Sequence, residues 1–124
     1  MRVYIAGPMR GVEEYNHPAF RRAADRFRAL GHFVLNPVEI NHADGEGVSF
    51  SPEEYLARDI AMILSAKINA IALLTGWERS VGARLEASIG VTLGFRFFDA
   101  GTAVGILAPS SIEICGGYAI PPIE

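Results

Sequence analysis

Residues 68–74 read Ile-Asn-Ala-Ile-Ala-Leu-Leu, an apolar run interrupted once, by Asn69. Successive residues of a strand point to opposite faces, so a strand this apolar needs cover on both. That is the condition of a central strand in a parallel sheet. Residues 3–6, Val-Tyr-Ile-Ala, form a second short apolar strand that runs straight into Gly7-Pro8.

The remaining chain supplies the covering helices. Pro18 suits a first helical turn. Phe20, Ala23, Ala24, Phe27 and Leu30 then recur at helical spacing, with Arg21, Arg22, Asp25, Arg26 and Arg28 outside. Gly31 is placed to end that helix, and residues 32–35 read as a strand stopped by Asn36-Pro37. Ser51-Pro52-Glu53-Glu54 is a capping box that opens a helix running to about Ala66. Residues 83–94 read as a further helix, and 95–98 and 102–107 as short strands. Residues 11–17 and 38–50 read as polar loops. The second is long for a small domain and is a candidate lid or specificity loop. Residues 109–124 read as an irregular tail.

Alternating strands and helices imply an α/β fold, an open parallel sheet of four to five strands with helices on both faces. The flavodoxin-like order sets the first and third strands side by side at the switch point, where ligands bind. One domain over residues 1–124 is expected. Gly7, Pro8, Met9 and Arg10 then border a crevice at the carboxyl edge, faced by residues 75–82.

Composition narrows the partners. The net charge of −3 argues against a nucleic-acid polymer, which needs clustered Lys and Arg. Cys115 is the one cysteine, so no internal disulfide forms. No basic-then-apolar leader is evident, and no apolar run reaches the ~18 residues of a membrane span. His17, His32 and His42 lack ligand spacing, and no Gly-x-Gly-x-x-Gly follows the first strand. His42 with Asp44 and Glu46 reads as a solvated loop. A soluble cytoplasmic protein with no metal, no organic cofactor and a small-molecule partner is expected. The small domain and apolar tail also suggest self-association.

Two carboxylates stand where apolar residues belong. At about 100° per residue, Tyr55, Leu56, Ile60, Met62 and Ile63 share one helix face, and Asp59 falls near its middle. An acid there must be paired or point into a cavity. Arg58, a loop amide or a helix end would serve as partner, and the helix dipole also favours an early acid. Glu86 projects from the side of the next helix whose core stripe reads as Leu85, Ile89 and Leu93, with Ala83 and Gly90 beside it. Bonding to Ser80 or Arg84 is its bland explanation. Ser80 is either a helix cap or, with Gly82, part of an anion site at a helix start. Arg10 is either solvated or a cation for that site. Trp77 either stacks on a base or covers the core edge. Two carboxylates, Tyr4 and an anion pocket at one edge suggest glycosidic chemistry of the retaining kind.

The stretches Val-Tyr-Ile-Ala-Gly-Pro-Met at 3–9 and Gly-Trp-Glu-Arg-Ser-Val-Gly-Ala-Arg-Leu-Glu at 76–86 carry a resemblance. Over roughly residues 1–98 the chain resembles the nucleoside 2-deoxyribosyltransferase superfamily. Within it the chain is closest to the 2'-deoxynucleoside 5'-phosphate N-hydrolases and to small phage and bacterial proteins of unassigned function. The resemblance implies Glu86 as nucleophile at the anomeric carbon and Asp59 as acid–base group at the base. It implies Tyr4 as hydrogen-bond partner of the nucleophile, with Arg10, Ser80 and Gly82 holding a 5'-phosphate. The expected activity is cleavage of a (deoxy)nucleoside 5'-monophosphate to free base and sugar phosphate. Base exchange by a deoxyribosyltransferase and a non-catalytic nucleotide sensor are the alternatives. A homodimer or larger assembly is also implied. The chain departs from the pattern at Lys67, where the family has an acid, at Pro8-Met9, and in a longer loop 75–79 containing Trp77.

Overall fold

The protein is described by a computed structural model covering residues 1–42 and 50–115. Its strands are β1 (Arg2–Ala6), β2 (Phe33–Leu35), β3 (Ala70–Leu73), β4 (Arg96–Asp99) and β5 (Gly105–Ile106). Its helices are α1 (His17–Ala29), α2 (Pro37–His42), α3 (Pro52–Ser65), α4 (Val81–Leu93) and α5 (Ser111–Ile114). The sheet runs in the order β2-β1-β3-β4-β5. β1 to β4 are parallel, so the sheet is an open α/β sheet with the flavodoxin-like order and β1 beside β3. β5 is antiparallel to β4 and only two residues long, shorter than the strand expected over 102–107. Asp99 explains this: its Oδ2 accepts from the Thr102 N–H at 2.9 Å and the Thr102 hydroxyl at 2.8 Å. The chain therefore turns back at once after β4.

The period-two alternation of β1 divides the interior into two layers. Val3 and Ile5 face α1 and pack with Phe20, Ala23, Ala24 and Phe27. Tyr4 and Ala6 face the other side and pack with Ile63 of α3 and Ala83 and Ala87 of α4. A tyrosine is thus carried inward to the α3–α4 layer by strand register alone. β1 and β3 leave the sheet in step, with Ala6 opposite Leu73, and a β-carbon on Gly7 would stand 2.6 Å from that of Leu74. Only glycine permits the two strand ends to close to this distance.

α3 begins as its sequence dictates, with Ser51 accepting from the Glu54 N–H and the Glu54 carboxyl accepting from the Ser51 N–H. α4 corrects the sequence reading of its inner face. Ala83, Glu86, Ala87 and Gly90 are buried, whereas Leu85 and Leu93 are exposed and Ile89 is half-buried. A β-carbon at Gly90 would come within 2.6 Å of Ile71 Cδ1 and 2.9 Å of Phe97 Cζ. The helix lies too close to the sheet for leucines to fit beneath it.

Other differences are local. The loop expected over 38–50 starts as helix α2, and residues 43–49 of the candidate lid, with Asp44 and Glu46, lie outside the described residues. The loop 11–17 contains a 3-10 turn over Glu13–Asn16, and α1 starts at His17. The irregular tail opens with α5, whose Ser110 and Glu113 form a second capping box. The sequence reading missed that signal, and residues 116–124 lie outside the described residues. Among the described residues no helix is long and apolar enough to cross a membrane.

Gly7→Ala is expected to destabilise the protein by about 2 kcal/mol, because the clash involves a β-carbon that no rotamer change can move. Urea unfolding monitored by circular dichroism measures it; an unchanged midpoint would contradict the close approach of β1 and β3.

Candidate active site

The α3–α4 layer brings three polar side chains to one point. Tyr4 reaches it from the middle of β1, Asp59 from the second turn of α3 and Glu86 from the second turn of α4. Tyr4 is fully buried and Glu86 is 5% exposed, while Asp59 is half-buried. The Tyr4 hydroxyl donates to Glu86 Oε2. The Asp59 carboxyl stands near this hydroxyl, close enough to influence it electrostatically.

A phenol has one proton, and here it goes to Glu86. Asp59 Oδ1 is accordingly buried with no partner among the described residues. With Tyr4 donating to Glu86, a protonated Asp59 is the form that the phenol oxygen could still accept from.

Burial sets the electrostatics. It pushes the Asp59 carboxyl up to about 7, opposed by Tyr4 and by the positive charge of Arg58. It pushes the Glu86 carboxyl up to about 8, opposed by the Tyr4 bond and reinforced by Asp59. Tyr4 is raised well above an ordinary phenol by burial first, then by the charges of Glu86 and Asp59. The two acids titrate as a pair that holds one proton near neutrality. Burial alone would leave that proton on Glu86, the more enclosed acid. The bond donated by Tyr4 favours the charged form of Glu86 and so leaves the proton to Asp59.

Beside the acids lies the start of α4. Ser80 caps it, its Oγ accepting from the Ala83 N–H at 3.2 Å. The cap reading of Ser80 holds, and the hydroxyl proton remains available to a ligand. A β-carbon on Gly82 would meet nothing nearer than Leu56 Cδ1 at 3.6 Å and Ser80 Oγ at 4.0 Å. A β-carbon there would make only ordinary contact, so the protein's own packing does not require glycine. Leu56, on the Asp59 face of α3, stands beside Gly82; the sequence reading took it only as core.

The remaining expected site residues divide. Gly7 and Pro8 are fixed at the β1–β3 junction, with Pro8 buried and its carbonyl accepting from Asn16 Nδ2 at 2.9 Å. Met9 packs against the α1-side core rather than toward the acids. Arg10 is exposed. Trp77 corrects the stacking expectation: it is 6% exposed and packed in the core with Leu73 and Ala83, so no ring face is offered to a base. Among the described residues no group of three or more His, Cys, Asp or Glu side chains gathers where a metal could bind.

A family model described as a domain of unknown function (DUF4406) matches residues 1–98, and the chain belongs to that family. No curated protein and no solved structure matches it. The matched residues include Tyr4, Asp59 and Glu86 and stop within β4, leaving β5 and α5 outside.

The raised acids make stability depend on pH with a definite sign. Between the ordinary values of 3.8 and 4.5 and the folded values of about 7 and about 8, the folded state holds protons that the unfolded chain has lost. Their stabilising contribution is therefore complete below about pH 4 and disappears as pH rises through 8. Thermal unfolding is expected at lower temperature at pH 9 than at pH 6. Glu86→Gln is expected to flatten that slope and to raise the unfolding temperature at pH 9 above that of the wild type. A Glu86→Gln protein with an unchanged pH slope would show that Glu86 is not a proton-holding buried acid.

Proposed function

We propose that this protein cleaves the N-glycosidic bond of a nucleoside 5'-monophosphate, a deoxynucleotide by its resemblance to the N-hydrolases, through a covalent glycosyl intermediate on Glu86. The observation that carries the reading is the convergence of Asp59 and Glu86 on the single hydroxyl of Tyr4. Retaining glycosidases need carboxyls about 5–5.5 Å apart, inverting ones about 6.5–9.5 Å. Two acids gathered at one phenol suit the closer spacing, in which the second carboxyl is the nucleophile. A binding module has no use for a buried nucleophile beside a protonated acid.

The chemistry follows from the site. A Glu86 carboxylate oxygen attacks the anomeric carbon as the bond to the base nitrogen breaks. The bonding pair leaves with the base, and the Asp59 proton goes to it. The Tyr4 hydroxyl steadies the Glu86 oxygen that does not attack and keeps its orientation. Asp59, now a carboxylate, takes a proton from water as that water attacks the anomeric carbon. The ester breaks, Glu86 leaves as a carboxylate and Asp59 is again an acid. The hydroxyl of Ser80 and the free N–H groups at the start of α4, beside Gly82, suit the 5'-phosphate. Arg10 adds a cation at the same carboxyl edge.

Incubation with a panel of nucleosides and nucleoside 5'-monophosphates, followed by chromatography, tests this. Free base is expected from monophosphates. Glu86→Gln is expected to lose about a thousandfold or more, and Tyr4→Phe about tenfold to a hundredfold. Product formed only when a second base is added would make the protein a transferase. No product from any donor would remove the enzymatic reading.

The pH profile is a separate expectation. The active form of the pair carries one proton, so kcat/KM should be bell-shaped with its maximum between about 7 and about 8. Asp59→Asn should slow the reaction about a hundredfold, with a smaller loss on nucleotides whose base leaves easily. Equal losses on good and poor leaving groups would dissociate Asp59 from base protonation.

A further inference from the structure

The α1 layer carries a cleft that the acids do not touch. It encloses about 260 Å³ at the carboxyl edge of β3 and β4, lined by Asn16, Arg22, Arg26 and Thr75, with Leu74 and Gly101 among its walls. Leu74 belongs to the α1-side core, whereas Tyr4 belongs to the opposite layer. The tight approach of Gly7 to Leu74 stands between the two places.

From this cleft we infer a second anion site, one that takes inorganic phosphate or a small phosphate monoester. Arg22 and Arg26 are one helical turn apart on α1 and so lie on the same side of the helix. Arg26 is braced, its Nη1 donating to the Ala100 carbonyl at 2.7 Å. That bond fixes the plane of the guanidinium and leaves its other N–H groups for a ligand. Arg28, by contrast, is committed to Glu39 through two hydrogen bonds of 2.8 and 2.7 Å. Asp99, two residues before Gly101, is occupied by the Thr102 N–H and hydroxyl.

The end of the cleft at Asn16, just before α1, is built at a conformational cost. Glu14, Tyr15 and Asn16 take positive φ values of 54°, 52° and 61°, three consecutive left-handed residues without a glycine. Such backbone persists only where its surroundings hold it, and it collects at ligand clamps. Asn16 is held by its amide bond to the Pro8 carbonyl, which leaves its Oδ1 and its place at the cleft fixed.

Ligand class follows from donors and size. Two guanidinium groups, one with its Nη1 already bonded, and the Thr75 hydroxyl exceed what one carboxylate accepts and match the three free oxygens of a phosphate monoester. The volume lies just under the range of about 300–1,000 Å³ that holds a whole drug-sized ligand. A phosphate with at most a small sugar fits; a dinucleotide does not.

Calorimetric titration with inorganic phosphate and with ribose 5-phosphate tests the site, with succinate as the carboxylate arm. In Ser80→Ala, where any binding at the α4 start is weakened, saturable phosphate binding at the α1 cleft is expected to remain, and Arg22 is tested in that background as well as in the wild type. Arg22→Ala should weaken it about tenfold, with partial recovery in Arg22→Lys. Arg22 is exposed, so its replacement leaves the fold intact, and circular dichroism checks this. Binding lost in Ser80→Ala but unaffected by Arg22→Ala would overturn the proposal, because the anion then sits at α4. Absence of any phosphate binding, or succinate bound as tightly as phosphate, overturns it too. Activity at Glu86 does not enter these readouts, so the outcome stands whether or not the protein cleaves nucleotides.

Discussion

The hydrogen bond from Tyr4 to Glu86 is the constraint around which the inner layer is built. Both groups are buried, and an unpaired polar group in such a place costs on the order of 1–3 kcal/mol, more if charged. Pairing is therefore compulsory, and it fixes distances. α4 must come close enough to the sheet for a carboxylate one turn and a half into the helix to meet a phenol rooted in β1. Ala83, Ala87 and Gly90 provide that approach by presenting almost nothing beneath the helix. The displaced apolar bulk, Leu85 and Leu93, goes outward. A core of larger side chains would hold the helix away and leave the two groups apart.

Asp59 completes the arrangement from a helix with a lighter grip. Ile63 is the one α3 side chain classed as fully buried. Around Asp59, Tyr55, Leu56, Ile60 and Met62 are each half-buried, so the acid sits at the border of the core rather than in its depth. This difference separates the environments of the two carboxyls while a common phenol joins them. Divergent surroundings of two linked acids are the usual means by which one fold holds both an acid and a nucleophile near neutral pH.

The two faces of the sheet serve different ends. The junction where Gly7 meets Leu74 divides the carboxyl edge. On one side stand carboxylates and a helix start; on the other stand guanidinium groups and a strained left-handed turn. Reading α1 as a helix with a solvated basic face captured the position of Arg22 and Arg26 but not their use. Periodicity tells which residues face away from the core, and it is silent on what else the outer face meets.

The sequence by itself determined the parallel sheet, its order and the helix start at Ser51, because these rest on local rules: apolar runs, period and capping. It also marked Asp59 and Glu86, because a charge at an apolar position violates the same rules. Tertiary structure decided the rest. The inner face of α4 was misread because hydrophobic patterning weighs large side chains, whereas close helix–sheet packing selects small ones. Trp77 was ambiguous until the core closed over it. The meeting of Tyr4, Asp59 and Glu86 joins residues as far as 82 positions apart. A contact at that separation is set by strand register and helix approach together, and neither is written in any one segment of the chain.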